Sequence, residues 1–186
     1  ELPGDQRVDD AYSMDFTTAP LEDEIEILGQ PRAILHVSSS APLANWIVRL
    51  CDIAPDGSSQ LVTKAVLNGA HRRSHSEPEA MPVDEVVELQ LQLKFTSRVF
   101  APGHRIRMAI SNADFPNIWP APYPVTATLM VDADHPSRLL LPICPHAERP
   151  VPAFDPPNQE RDSAVTPPSP INQWHVIRDE MARSTT

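Results

Sequence analysis

The 186-residue sequence lacks the long apolar run that a membrane-spanning segment requires. Its apolar stretches, such as residues 139–143, are far shorter than the roughly 20 residues that cross a bilayer as a helix. The first residues also lack the basic and apolar regions of a secretory signal peptide. We therefore predict a cytoplasmic protein without a membrane partner.

The sequence also has no excess of positive charge. It contains 15 Lys and Arg against 25 Asp and Glu, which gives a formal net charge of −10. Proteins that bind nucleic acid through the phosphate backbone neutralise many phosphates with Lys and Arg. The charge balance therefore argues against a nucleic-acid partner.

Cysteine and glycine are scarce, whereas proline is abundant. Cys51 and Cys144 lie in strand-like stretches, where a small buried thiol is common, so we expect two free thiols and a reducing compartment. Five glycines and 22 prolines predict short elements and few helices. A chain of this length fits one domain, which could bury roughly 70% of the surface that the unfolded chain exposes.

No G-x-S-x-G motif is present, so the strained turn that presents the nucleophile of α/β-type serine hydrolases is missing. A convergent serine–histidine site could still form through the fold. The two nearest substitutes, Gly57-Ser58-Ser59 and Ser38-Ser39-Ser40, are interpreted as a hairpin turn and a strand end. We predict no catalytic residue in this chain.

Two clusters have some metal-ligand character. His71 and His75 have suitable spacing only on a helix, and an extended chain would hold them about 13 Å apart. Asp132 and Asp134 could contribute to a calcium site, but calcium needs six to eight oxygen ligands and this loop offers only two acids, so a polar turn between strands is the preferred interpretation. We predict neither a metal ion nor a cofactor.

Alternation of apolar and polar residues is the main structural signal. It is clearest at residues 86–95, which predict an amphipathic strand with one wet face. Pro55-Asp56-Gly57 predicts a hairpin turn, and a strand is expected to enter at Ile25. Further strands are expected at residues 33–37, 46–53, 61–67, 104–111, 125–131, 138–143 and 171–177. About nine short strands predict an all-β fold, a β-sandwich of jelly-roll type.

The expected organisation is a main sandwich over about residues 21–143, a proline-rich strap over 144–170 and a returning strand over 171–178. The stretch most suited to contact another molecule is the loop 114–123, which concentrates aromatic residues between two strands. It either folds back on the sandwich or contacts a partner surface. The candidate contact residues are Asp114, Phe115, Pro116, Trp119 and Tyr123. Arg105 and Arg107, on the preceding strand, are expected on a solvated or ion-paired face.

Several short stretches resemble, in the same order, the C-terminal domain of X-Pro dipeptidyl-peptidases, cocaine esterase and related acyl esterases of the CocE/NonD family. The stretches are LGQP (28–31), VRLCDI (48–53) followed by PDG (55–57), PGHRIR (102–107), ADFP (113–116), and HPSRL (135–139) leading into LP (141–142). The resemblance covers the chain from about Leu21 onward. It implies a jelly-roll, galactose-binding-domain-like sandwich that packs against an N-terminal α/β-hydrolase domain in the same polypeptide. The Ser, Asp and His triad would belong to that domain.

The leading hypothesis is therefore a C-terminal accessory domain of a bacterial serine hydrolase that supports stability, assembly and the substrate pocket. An alternative is a carbohydrate-binding module, because jelly-roll sandwiches with loop aromatics often stack on sugars; its basis is Phe115, Trp119 and Tyr123. A homo-oligomerisation role is a third hypothesis and is compatible with the first.

Overall fold

A computed structural model describes residues 4–145, 153, 178–179 and 184–185. The chain divides into two compact units, Glu1–His146 and Ala147–Thr186. The described elements of the first unit are, in order, α1 (Arg7–Asp10), β1 (Met14–Thr17), β2 (Ile25–Gly29), β3 (Arg32–Ser39), β4 (Asn45–Ile53), β5 (Ser59–Asn68), a 3-10 turn (Gly69–His71), β6 (Val87–Gln92), β7 (Thr96–Phe100), β8 (Arg105–Ser111), β9 (Ala127–Met130) and β10 (Arg138–Leu140). In the second unit, β11 (Arg178–Asp179) pairs with β12 (Ser184–Thr185).

Two antiparallel layers form the first unit, which confirms the predicted all-β fold. One sheet has the strand order β1-β8-β4-β5. In the other layer β3 pairs with β6 on one side and with β9 and β10 on the other, and β2 pairs with β7. The shared apolar core draws buried side chains from both layers, including Leu35, Leu50, Leu89, Phe100 and Ile106.

The sheet that contains β4 is buried on both faces. Trp46, Val48 and Leu50 belong to the core between the layers. Arg49 and Cys51 alternate with them and therefore lie on the opposite, outer face, yet they are also buried. An additional layer of chain must cover this outer face.

The N-terminal segment, residues 4–18, supplies much of that cover. The backbone N–H of Gln6 donates to Ser59 O at 2.8 Å, which holds the segment on β5. The Asp10 carboxylate accepts from Ser59 Oγ at 2.7 Å and pairs with Arg49 Nη2 at 3.1 Å and Arg107 Nη1 at 3.0 Å. The sequence did not predict α1 or β1, because both are four residues long and β1 is exposed throughout.

One predicted strand is shorter in the structure. Residues 86–95 were expected as a single strand, but β6 ends at Gln92 and β7 begins at Thr96. The paired strands β2 and β3 are interrupted at the same level, and Pro31, which has no N–H to donate to a ladder, lies in that interruption. Leu93 N donates to Pro31 O at 2.9 Å within the bend.

Other expectations can be compared directly with the structure. The hairpin turn between β4 and β5 is confirmed, with Gly57 at φ +85°. Cys51 is buried and Cys144 is half-buried, and no disulfide joins the two. The strap lies almost entirely outside the described residues, as do residues 171–177 of the predicted returning strand.

Candidate functional site

The aromatic loop, defined here as residues 113–123, follows β8 and begins with a closed turn. Ser111 Oγ donates to Ala113 O at 3.0 Å where the chain leaves the strand. Asp114 N donates to Ile118 O at 3.2 Å, and Ile118 N donates back to Asp114 O at 2.9 Å. The peptide bond between Phe115 and Pro116 is cis. The two hydrogen bonds between Asp114 and Ile118 close the first half of the loop.

Two side chains of the outer face hold the aromatic loop against the sheet. Lys64 on β5 pairs with the Asp114 carboxylate, with a Nζ–Oδ2 distance of 2.5 Å. Asn45 at the start of β4 donates from Nδ2 to Trp119 O at 3.2 Å. The backbone therefore folds back on the sandwich, which is one of the two arrangements that the sequence allowed.

Two aromatic side chains of this loop are nevertheless presented outward. Trp119 is 72% exposed and Phe115 is 40% exposed. Their ring centroids lie 5.7 Å apart in an edge-to-face arrangement, a geometry favoured by the ring quadrupoles. Pro116 and Tyr123 are half-buried, and the buried Tyr123 hydroxyl has no hydrogen-bond partner among the described residues. The structure thus brings the five candidate residues into one loop with a fixed backbone and an exposed aromatic pair.

A carboxylate–histidine pair, which could orient a general base, occurs elsewhere in the sandwich. His104 Nδ1 lies 2.7 Å from Asp52 Oδ1, and Arg98 Nη2 lies 2.5 Å from Asp52 Oδ2. The Asp52 carboxylate is buried, so Arg98 compensates its charge while His104 shares a hydrogen bond with it, and the three residues join β4, β7 and the turn before β8. In residues 4–145, the serine hydroxyl hydrogen bonds go to backbone groups, carboxylates, an arginine and another serine rather than to a histidine ring. We interpret the pair as structural.

The predicted separation of His71 and His75 was wrong. Their rings are stacked with centroids 5.9 Å apart, because Gly69–His71 forms a 3-10 turn and the following residues bend. Asp132 forms a polar turn, accepting from Asp134 N at 2.9 Å and His135 N at 2.8 Å. Within the described residues, no group of three or more His, Cys, Asp or Glu side chains could hold a metal ion. None of the described helices has the length and apolar character needed to cross a membrane.

The arginines that precede the aromatic loop are ion-paired or hydrogen-bonded. Arg107 pairs with Asp10 and, at 3.3 Å, with Asp15. Arg105 Nη1 donates to Thr18 O at 3.1 Å. Burial raises the pKa of Asp15 above its ordinary value, and the nearby Arg107 opposes this shift. The contact of these arginines with the N-terminal segment could not be read from the strand pattern, since that segment had no predicted element.

Most of the sequence matches a known protein family. Residues 3–140 match the sequence model of the X-Pro dipeptidyl-peptidase C-terminal non-catalytic domain. The chain belongs to this family. The match begins at residue 3, before the Leu21 from which the resemblance was expected, and so includes the segment that covers the outer face of the sheet.

Relatives of this non-catalytic domain are parts of much longer proteins. Cocaine esterase of Rhodococcus sp. (strain MB1 Bresler) is 33% identical over 118 residues, which are 61% of this chain and 20% of the esterase. The structure of an alpha-amino acid ester hydrolase matches with a TM-score of 0.73 and 27% identity, over 77% of this chain and 28% of that protein. An aminopeptidase from a marine sediment Thaumarchaeota archaeon matches with a TM-score of 0.72 and 25% identity, over 77% and 28%. The chain thus spans about a fifth to just over a quarter of each of these proteins. These comparisons give no support to the carbohydrate-binding alternative.

Proposed function

We propose that this chain is the C-terminal accessory domain of a serine hydrolase that acts on acyl esters or X-Pro peptides. The observation that carries this proposal is the match of residues 3–140 to a domain described as non-catalytic. The similar proteins whose names state an activity are an esterase, an ester hydrolase and an aminopeptidase. On this proposal the nucleophile and its histidine lie in an α/β-hydrolase domain that precedes the present chain.

The aromatic loop is proposed to contact that catalytic domain and to form part of its pocket wall or of the interface between the domains. Aromatic side chains are enriched in protein interfaces because they bury a large area with few rotatable bonds. Phe115 and Trp119 are exposed on a backbone that Lys64 and Asn45 already hold in place. Little ordering cost would then accompany docking of this loop.

The non-catalytic role is tested by assaying the 186-residue chain with p-nitrophenyl esters and Xaa-Pro anilides. We expect no turnover above the background of denatured protein, because no serine hydroxyl among the described residues is hydrogen-bonded to a histidine ring. Turnover that is abolished by a serine-directed phosphonate would contradict the proposal.

The loop contact is tested in the full polypeptide encoded by the reading frame that contains this sequence. Trp119→Ala should lower the temperature at which the two domains unfold together, or raise KM for an ester substrate. Phe95→Ala is the matched control, because Phe95 is also strongly exposed, at 66%, but lies between β6 and β7. Equal effects of the two substitutions on the melting temperature and on KM would contradict a specific contact through the aromatic loop.

A cytoplasmic location and self-association are retained as parts of the proposal. The two cysteines form no disulfide, which supports a reducing compartment. Sedimentation of the chain over a range of concentrations would reveal a dimer, and fractionation of the source cells would test the location.

A further inference from the structure

The first part of the N-terminal segment, residues 4–13, lies on the outer face of the sheet that contains β4 and is called here the N-terminal latch. Its backbone is joined to β5, because Gln6 N donates to Ser59 O at 2.8 Å. Asp5 Oδ1 accepts in turn from Ser59 N at 3.1 Å. The helix α1 within the latch has only four residues, so it has little stability of its own. The latch therefore depends on its contacts with the sheet.

Polar side chains make these contacts. Arg49 donates from Nη1 to Gln6 Oε1 at 2.9 Å and from Nη2 to Ser13 Oγ at 2.8 Å. The same guanidinium pairs with Asp10, which also accepts a hydrogen bond from Ser59 Oγ. Gln6 and Asp10 are the buried residues of the latch, and both are polar.

The apolar side chains of the latch stay outside the core. Val8 is 58% exposed, Tyr12 is 70% exposed, and Ala11 is exposed as well. Among the described residues, the core cluster and the half-buried side chains packed against it include none before Leu21. Regions with few buried apolar contacts open at a lower free energy than the core does. The buried charges regain hydration when such a region opens, which offsets much of the ion-pair energy that is lost.

The Cys51 thiol lies beneath the latch. Cys51 is fully buried on the outer face of β4. Burial, together with the charge of Asp10, raises the pKa of this thiol to about 11, so the sulfur is close to a carboxylate of the latch. Val48 is equally buried on the same strand, but it belongs to the core between the two layers. These two positions can distinguish opening of the latch from unfolding of the sandwich.

We propose that the N-terminal latch opens as a unit while the sandwich stays folded, and that this opening gives solvent access to Arg49 and Cys51. The latch is then a conformational device that controls access to the outer face of the sheet. The opening requires no catalytic domain, so it goes beyond the proposed function. On the proposed function, release of the latch would also lengthen the connection between the two domains.

Thiol labelling of the 186-residue chain tests the opening. The Cys144→Ser variant keeps Cys51 as its single thiol, and a maleimide dye can react with it only after the latch has opened. The labelling rate without urea should exceed, by about tenfold or more, the rate that the free energy of global unfolding allows. The rate should also rise less steeply with urea than global unfolding does, because opening of the latch exposes much less surface. A rate and a urea dependence equal to those of global unfolding would overturn the proposal.

A thiol on the core side of the same strand is the matched control. Val48→Cys is made together with Cys51→Ala and Cys144→Ser, and the free energy of unfolding of this variant is measured in the same way. The thiol at position 48 should react only as fast as global unfolding allows. If it reacted ahead of global unfolding as readily as Cys51, the sheet itself would be opening, and the proposal would be wrong.

Gln6→Ala tests whether the latch is the element that opens. This substitution removes a hydrogen bond to the Arg49 guanidinium in the closed state. Labelling of Cys51 should therefore become about tenfold faster, which corresponds to about 1.4 kcal/mol. Gln92→Ala removes an exposed glutamine from β6 and should leave the rate nearly unchanged. An unchanged rate in Gln6→Ala would show that the dye reaches Cys51 by another opening, which would overturn the role of the latch.

Discussion

At the scale of single residues, the Asp10 carboxylate joins the N-terminal segment to the sheet beneath it. It is buried and pairs with the equally buried Arg49 and with Arg107. Asp10→Asn would leave Arg49 in a dry site without its ion-pair partner. Because an unpaired buried charge is costly, we expect a loss of about 3–5 kcal/mol in the free energy of unfolding, measured with urea.

Asp23→Asn is the control for this experiment, because it makes the same chemical change at an exposed carboxylate. Its effect should remain within about 0.5 kcal/mol. A similar small effect for Asp10→Asn would show that the ion pairs on the outer face contribute little to stability.

Cys51 provides a prediction about pH at the same scale. Burial, together with the negative charge of Asp10, raises the pKa of its thiol to about 11. An ordinary thiol in the unfolded chain ionises near pH 9.0, so raising the pH from 9 toward 11 favours the unfolded state. Below pH 9 neither state is ionised at this position, and Cys51 contributes no pH dependence.

This loss of stability at alkaline pH is measured by comparing the free energy of unfolding at pH 8.5 and pH 10.5. Cys51→Ala should reduce the loss by roughly 2 kcal/mol, because each unit of pKa difference corresponds to about 1.4 kcal/mol. Cys144→Ala keeps Cys51, so its free energy of unfolding should still fall by this amount between pH 8.5 and pH 10.5. Equal losses in the two variants would mean that the Cys51 thiol ionises as readily in the folded chain as in the unfolded one.

At the scale of elements, the contact between the 3-10 turn and Met81 is unusually close. A Cβ atom added at Gly69 would lie 2.0 Å from Met81 Sδ, and Met81 is itself buried. Gly69→Ala must therefore displace the methionine, at a cost of about 1–3 kcal/mol. In a Met81→Ala background the same substitution should cost less than half as much, which a double-mutant cycle measures.

Gly57→Ala is the matched control for that cycle. Gly57 has φ +85° but open space around it, so its cost of about 1 kcal/mol arises from the backbone alone. That cost should be the same with Met81 or Ala at position 81. A Gly69→Ala cost that is also independent of position 81 would contradict the proposed crowding.

The clearest signals among the correctly predicted elements come from strands with a strong period of two. In residues 86–92 and 104–111 apolar and polar side chains alternate, because one face of each strand packs on the core. The pattern therefore shows which residues of each strand are buried. The four residues of β1 and the five of β7 are too short, and too exposed or bent, to give such a signal. Their placement depends on pairing with β8 and β2, which is a long-range property.

Part of the candidate site could also be predicted from the sequence. Composition identified the aromatic loop, since proline and aromatic residues between two strands form a recognisable stretch. Its anchors could not be found in this way, because Lys64 lies 50 residues from Asp114 and becomes a neighbour only through the register of the sheet. Asp10 was missed likewise, although Arg107, one of its partners, was expected on an ion-paired face.

At the scale of the whole molecule, the described sandwich contains its own core. Among the described residues, the buried cluster is formed by residues between Ile27 and Ile110, and its half-buried neighbours precede residue 142. Core packing supplies most of the favourable free energy of folding. The first compact unit, Glu1–His146, should therefore fold without the second.

A chain that ends at His146 tests this expectation. Its melting temperature should lie within a few degrees of that of the 186-residue chain, since about 1 kcal/mol shifts the melting temperature of a domain of this size by roughly 2–8 °C. Its near-ultraviolet circular dichroism should also match, after allowance for the missing Trp174. A shortened chain that melts far lower, or without cooperativity, would show that residues 147–186 supply packing that the sandwich needs. The proline-rich part would then have to be treated as part of the folded domain.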